Sequence, residues 1–144
     1  MTDREPMIEA VDLCKYYGSF AAVDHLSFTI RRGEVAAFLG PNGAGKSTTM
    51  KVLTGYLSPT SGTARLAGVD VVQDRVRAAQ KLGYLPENGP LYPEMTAREL
   101  LTFFGEARGM AGAQLQQRLE FVTDECDLAE LLDKPIGTCS KGQK

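Results

Sequence analysis

Leu26-Ser27-Phe28-Thr29-Ile30 alternates apolar and polar positions without a break, the period of a strand with one buried face. Arg31-Arg32-Gly33-Glu34 then reads as a turn, with Gly33 free to take a positive φ. Val35–Leu39 is continuously apolar, which predicts a strand covered on both faces in a parallel sheet. A glycine-rich segment, Gly40–Gly45, follows at once, and Met50, Leu53 and Leu57 recur at helical spacing after it. The order is therefore strand, loop, helix. Ser58-Pro59-Thr60-Ser61-Gly62 ends that helix and opens a short strand near residues 63–67, and Leu82–Leu85 reads as another strand stopped by Pro86. Thr96 and Glu99 have the spacing of a capping box. Leu100, Phe103, Phe104 and Ala107 mark one face of the helix behind it. Gly109 and Gly112 interrupt, and Leu115, Leu119, Val122 and Cys126 form the stripe of a second helix. Both stripes read as core and not as ligand surface. The pattern predicts an α/β protein with an appended helical part.

The 144 residues amount to about one domain, and 43% hydrophobic with 24% charged residues is ordinary for a globular chain. A net charge of -2, with basic residues clustering no further than Arg31-Arg32, gives no footprint for nucleic acid or an anionic membrane. Residues 1–10 mix acidic, basic and proline residues, unlike a secretory signal. The longest apolar run, Val35–Leu39, is far too short to span a bilayer, so service to a membrane would need a partner. Cys14, Cys126 and Cys139 are odd in number and widely spaced; they read as small apolar residues, not as a metal set or a disulfide frame.

Gly40-Pro41-Asn42-Gly43-Ala44-Gly45-Lys46-Ser47 satisfies the phosphate-loop pattern G-x-x-x-x-G-K-[ST] in full. A triphosphate needs several amide N–H groups converging on its oxygens, and only a loop nearly free of Cβ atoms wraps so closely. Gly43 and Gly45 supply that freedom, and a helix starting near Lys46 turns its positive end to the phosphates. Lys46 is assigned to the β and γ oxygens, and the Ser47 hydroxyl to Mg²⁺. At an average glycine usage of about 7%, chance produces the pattern in roughly one chain of this length in a few hundred. The strand before it and the helix after it lower that further.

With Thr48 added, the loop resembles the ATP-binding-cassette (ABC) family more than GTPases. Tyr16-Tyr17-Gly18, Ala22-Val23-Asp24, Ser58–Gly62 and Gly68-Val69-Asp70 are similar to that family's pattern as well. The resemblance implies that Tyr17, the aromatic residue before Gly18, stacks on adenine; the competing reading is a tyrosine packed at a strand edge. It further implies a nucleotide site formed by Tyr17 with Gly40, Pro41, Asn42, Gly43, Ala44, Gly45, Lys46, Ser47 and Thr48, holding ATP and Mg²⁺. Leu82–Glu87 sits where the family carries a strand ending in a glutamine that touches Mg²⁺ and the attacking water. This chain has Glu87 there, read either as the trait of an exporter-type branch or as a weakened metal site.

Cys139-Ser140-Lys141-Gly142-Gln143-Lys144 resembles the signature motif Leu-Ser-Gly-Gly-Gln, departing from it at Cys139 and Lys141. The resemblance implies that Ser140, Gly142 and Gln143 act on the ATP held by a second ATPase subunit of a homo- or heterodimer. It covers the chain from Met7 onward and implies a P-loop NTPase core with an antiparallel β subdomain and an appended helical subdomain, incomplete at the C-terminus. The expected division is about 7–90 for core and β subdomain, about 91–135 for the helical subdomain, and 139–144 for the start of the signature. The family's Asp-Glu strand end and switch histidine do not occur in the sequence, and His25 reads as a surface residue. The 144 residues alone are therefore expected to bind ATP without turning it over, and to expose apolar sheet surface. The parent is expected to be a transport ATPase, on the export side, cytoplasmic beneath integral membrane permease subunits, with no nucleic-acid partner. The alternatives are a truncated non-hydrolysing nucleotide-binding partner, and a soluble ABC protein not tied to transport.

Overall fold

The structure, a computed structural model, describes residues 5–86, 89, 91–140 and 142. The chain divides after Tyr84 into two compact units.

The first unit is built on a long hairpin, β1 (Pro6–Tyr17) against β2 (Phe20–Arg31), closed where Tyr17 pairs with Phe20. β3 (Ser61–Leu66) pairs antiparallel with the other edge of β1, and β4 (Val69–Asp70) with β3, giving the order β2-β1-β3-β4. The alternation of residues 26–30 is realised: Leu26, Phe28 and Ile30 are half-buried, and Ser27 and Thr29 exposed. β1 shows no such period because its register shifts between Ala10 and Leu13, and again between Leu13 and Lys15. The shifts turn both Leu13 and Cys14 inward, at 0% and 1% exposure, where strict alternation would place them on opposite faces. α1 (Lys46–Leu53) and α2 (Arg75–Gln80) cover the sheet. Val52, Leu53 and Ala78 meet Ala10, Leu13, Ala64, Leu66 and Val71 in one apolar cluster. Full burial of a side chain the size of Leu13 or Val52 is worth about 1.5–3 kcal/mol, so this cluster holds the hairpin to the helices.

Two expected strands do not form. Val35–Leu39, read as doubly covered, joins no ladder, and Val35 and Leu39 are 101% and 91% exposed. Leu82–Leu85 likewise runs without ladder pairing, with Leu85 88% exposed. The reason is the same for both. An apolar run becomes a strand only beside another backbone with free N–H and C=O groups, and no strand among the described residues flanks either run. Phe38 and Leu82 keep their predicted burial in part, both packed against the apolar cluster, with Phe38 edge-on to Phe28 at a centroid distance of 5.4 Å.

The second unit holds α3 (Ala97–Ala107) and α4 (Gly112–Glu125). The capping box is present: the Thr96 hydroxyl accepts from the Glu99 N–H, and the Glu99 carboxylate accepts from the Thr96 N–H at 2.8 Å. Both helical stripes are less buried than predicted. Leu100 is buried, but Phe103 and Phe104 are exposed, and α4 buries no residue fully. Two short helices in contact cover only one side of each other, which leaves the remaining face open. The chain after α4 returns along the start of α3. Arg98 binds Asp133 through two N–H···O contacts, at 2.8 and 3.4 Å, and the Ile136 and Gly137 amides donate to the Met95 and Pro93 carbonyls. A single turn of 3₁₀ helix, Ile136–Thr138, then leads to Cys139 and Ser140.

Candidate nucleotide site

Four local choices shape the loop at residues 40–45. Phe38 anchors the chain entering it. The Ala44 N–H closes a turn onto the Pro41 carbonyl at 3.3 Å. Gly43 and Gly45 take φ of 85° and 79°, a region that side chains with a Cβ avoid. Gly45 has a second reason to be glycine, since a Cβ there would run into the Ala22 carbonyl oxygen of β2. The loop is thus seated on the hairpin by backbone contact.

Gly45 is also the N-cap of α1, and it offers no side chain to the first turn. The N–H groups of that turn, with the positive end of the helix behind them, are left to an incoming acceptor. Lys46 opens the helix, and its ammonium bends back into the loop, donating to the Gly40 and Pro41 carbonyls at 2.7 Å each. The Ser47 hydroxyl is exposed on the same turn and makes no hydrogen bond among the described residues.

The structure brings Tyr17 together with this loop. Tyr17, Phe20 and Ala22 on the hairpin and residues 42–48 opposite line one open hollow of about 280 Å³. Tyr17 is 50% exposed, and the Lys15 ammonium lies 5.4 Å from its ring centroid while donating to the Ser58 carbonyl at 2.8 Å. The adjacent Tyr16 has a different job. Its hydroxyl donates to Asp24 at 2.6 Å, and that bond pushes its pKa up to about 12. Phe20, 60% exposed on the rim, is a residue that sequence reasoning missed. The signal was its place two residues after Gly18, directly across the hairpin from Tyr17.

Ser140 and Gly142 lie exposed in the second unit. Glu87 and Gln143 lie outside the described residues.

A glycine loop running straight into a helix, seated on an antiparallel sheet, defines a P-loop α/β protein. The chain belongs to the ABC transporter family, whose sequence profile matches residues 23–144. It is 40% identical over 130 residues to the probable multidrug ABC transporter ATP-binding protein YbhF of Escherichia coli (strain K12), covering 90% of this chain and 22% of that protein. It is 35% identical over 139 residues to the Nod factor export ATP-binding protein I of Ralstonia nicotianae (strain ATCC BAA-1114 / GMI1000), covering 96% and 43% respectively. A solved ATP binding subunit of an ABC transporter superposes with a TM-score of 0.83 at 32% identity, over 94% of this chain and 57% of that one. The chain thus spans less than half the length of these two relatives and somewhat over half of the solved subunit. No helix among the described residues is long and apolar enough to cross a membrane.

Proposed function

We propose that this chain binds ATP with Mg²⁺ between Tyr17 and residues 40–48, as part of a subunit that couples ATP hydrolysis to transport. The observation that carries the reading is the shared hollow, in which an exposed aromatic ring and a phosphate-type loop face one space. Tyr17 takes the adenine face, and Phe20 closes the rim beside it. The amides of residues 43–48 and the dipole of α1 take the phosphate oxygens. Lys46 exchanges its two carbonyl partners for the β and γ oxygens. Ser47 is the ligand these residues offer to Mg²⁺, with Glu87 the second, and the ion neutralises charge on the phosphates. The free Ser47 hydroxyl, two residues past Gly45, where the Ala22 carbonyl leaves no room for a Cβ, fits that assignment.

Ser140, Gly142 and Gln143 are assigned to the nucleotide of a second ATPase subunit. Integral membrane permease subunits complete the assembly, on the cytoplasmic face. The residues fall into a core with β subdomain over about 7–90 and a helical subdomain over about 91–135. Export is the direction favoured, supported by Glu87 and by the similarity to the Nod factor export ATP-binding protein I. Turnover is assigned to the whole protein, and binding to these residues.

The test is titration of a fluorescent ATP analogue with Mg²⁺ into the full chain and into Lys46→Ala. Saturable binding is expected, weakened at least about tenfold in Lys46→Ala, since hydrogen bonds to charged groups contribute about 1.5–3 kcal/mol. Binding that survives both Lys46→Ala and Tyr17→Ala unchanged sinks the proposal.

A further inference from the structure

The register shifts in β1 do more than bury Leu13 and Cys14. They leave Asp12 at φ 51° and, across the hairpin, His25 at φ 45°. Both lie in the left-handed region that residues with a Cβ seldom enter, and bulges of this kind re-aim side chains out of the alternating pattern. The result is a cluster of Cys14, Asp24 and His25, with one ligand-type atom of each within 4.8 Å of the other two. It is the one such grouping of three among the described residues.

The imidazole is held in a particular way. Its Nδ1 lies 2.6 Å from Asp12 Oδ1, and its Nε2 is turned toward Asp24 Oδ1 at 3.8 Å. A ring that gives one N–H to a carboxylate and keeps the other nitrogen free is the usual arrangement of a metal-binding histidine. Beneath it Cys14 is buried, while the His25 and Asp24 side chains are 67% and 62% exposed. The Cys14 sulfur accepts the His25 backbone N–H at 3.2 Å, a contact that also suits a thiolate. Asp24 spends Oδ1 on the Tyr16 hydroxyl and keeps its second oxygen.

We propose that Cys14, Asp24 and His25 bind one divalent transition-metal ion of the zinc class, clipping β1 to β2 near the Tyr17 end of the hairpin. Thiolate with imidazole selects zinc-class ions over magnesium or calcium. Ligands about 2.0–2.3 Å from a tetrahedral ion stand about 3.3–3.8 Å from each other, so the two exposed side chains close by about 1 Å. On binding, the Cys14 thiol gives its proton to solvent. Thiolate and carboxylate then balance the two positive charges, His25 stays neutral, and water takes the fourth position. None of these groups serves the nucleotide, so the two sites fail or stand independently.

The probe is cobalt(II), titrated into the full chain without magnesium or nucleotide. One equivalent is expected, with a thiolate-to-cobalt charge-transfer band in the near ultraviolet that zinc displaces. The band survives Cys126→Ser combined with Cys139→Ser. His25→Asn, which tolerates the positive φ, removes it, as does Asp24→Asn; circular dichroism checks that both variants fold. Asp12→Asn weakens binding about ten- to a hundredfold, the usual effect of losing the carboxylate behind a metal-bound imidazole. Absence of the band, a band indifferent to His25→Asn and Asp24→Asn in folded protein, or one that vanishes with Cys126 and Cys139 overturns the proposal.

Discussion

Two neighbouring tyrosines show how much single residues decide here. Tyr16 ties its hydroxyl to Asp24, whereas Tyr17 turns an exposed ring to the loop. Stacking of a base on an aromatic ring is worth about 1–3 kcal/mol, so Tyr17→Ala is expected to weaken nucleotide binding about fivefold or more. Tyr17→Phe keeps the ring and the affinity, and Tyr16→Phe leaves affinity unchanged; equilibrium titration of the three variants checks the set. Gly45 is the sharper case. Gly45→Ala meets both a positive φ and the Ala22 carbonyl, so it costs at least about 1–2 kcal/mol, read as a lower urea midpoint, and it abolishes nucleotide binding. The sequence announced Gly45 through its motif. It did not announce Ala22, because a contact between backbones 23 positions apart leaves no trace in residue type. Phe20 was hidden for a related reason: only the hairpin register sets it opposite Tyr17.

Among the elements, α3 was the most legible, since its start is written in local chemistry. The Glu99 carboxylate accepts from the Thr96 backbone and hydroxyl, and this holds its pKa below the ordinary 4.5. Arg98 holds Asp133 below its ordinary 3.8 in the same unit. Both pKa values fall on folding, so the stabilisation is complete above about pH 4.5 and disappears as pH drops through the lowered values. Acid titration followed by circular dichroism should show helix loss beginning below that pH. In Glu99→Gln the pH-dependent part shrinks, and a wild-type acid profile in that variant would contradict the assignment. Thr96→Ala costs about 1 kcal/mol at neutral pH through the lost cap. The strands were less legible. β2 showed its period plainly, β1 concealed its own behind its register shifts, and the runs at 35–39 and 82–85 carry strand-like residues without strand partners. Apolar pattern reports which faces seek cover; it does not report whether a neighbouring backbone is there to pair.

At the scale of the whole molecule, the antiparallel sheet and its helices hold the buried cluster, and the phosphate-type loop rides on that sheet through the Gly45 contact and Phe38. Stability is therefore expected to be uneven. Amide hydrogen exchange should be slow at the centre of β1, which is paired on both edges, and fast at residues 35–37 and 83–85, which join no ladder. Protection at residues 35–37 equal to that of β1 would refute this. Exposed Val35, Leu39 and Leu85 should also draw copies together, so light scattering at rising concentration is expected to show self-association that Val35→Lys reduces. The α/β class and the family were readable because a phosphate loop is contiguous in sequence. The division after Tyr84 has no shift in composition to mark it, and the expected boundary near residue 90 came from the family resemblance alone.

Lys46 holds a last consequence. Its ammonium already grips the Gly40 and Pro41 carbonyls, so it acts as a mandrel around which the chain is bent before any partner arrives. Affinity measured at this loop is then a difference between two sets of bonds to one cation. Removing that cation changes the resting shape of the loop as well as its grip, so the shortfall in Lys46→Ala reports both together. An arginine in its place would keep the charge and lose the compact point around which the chain is wound.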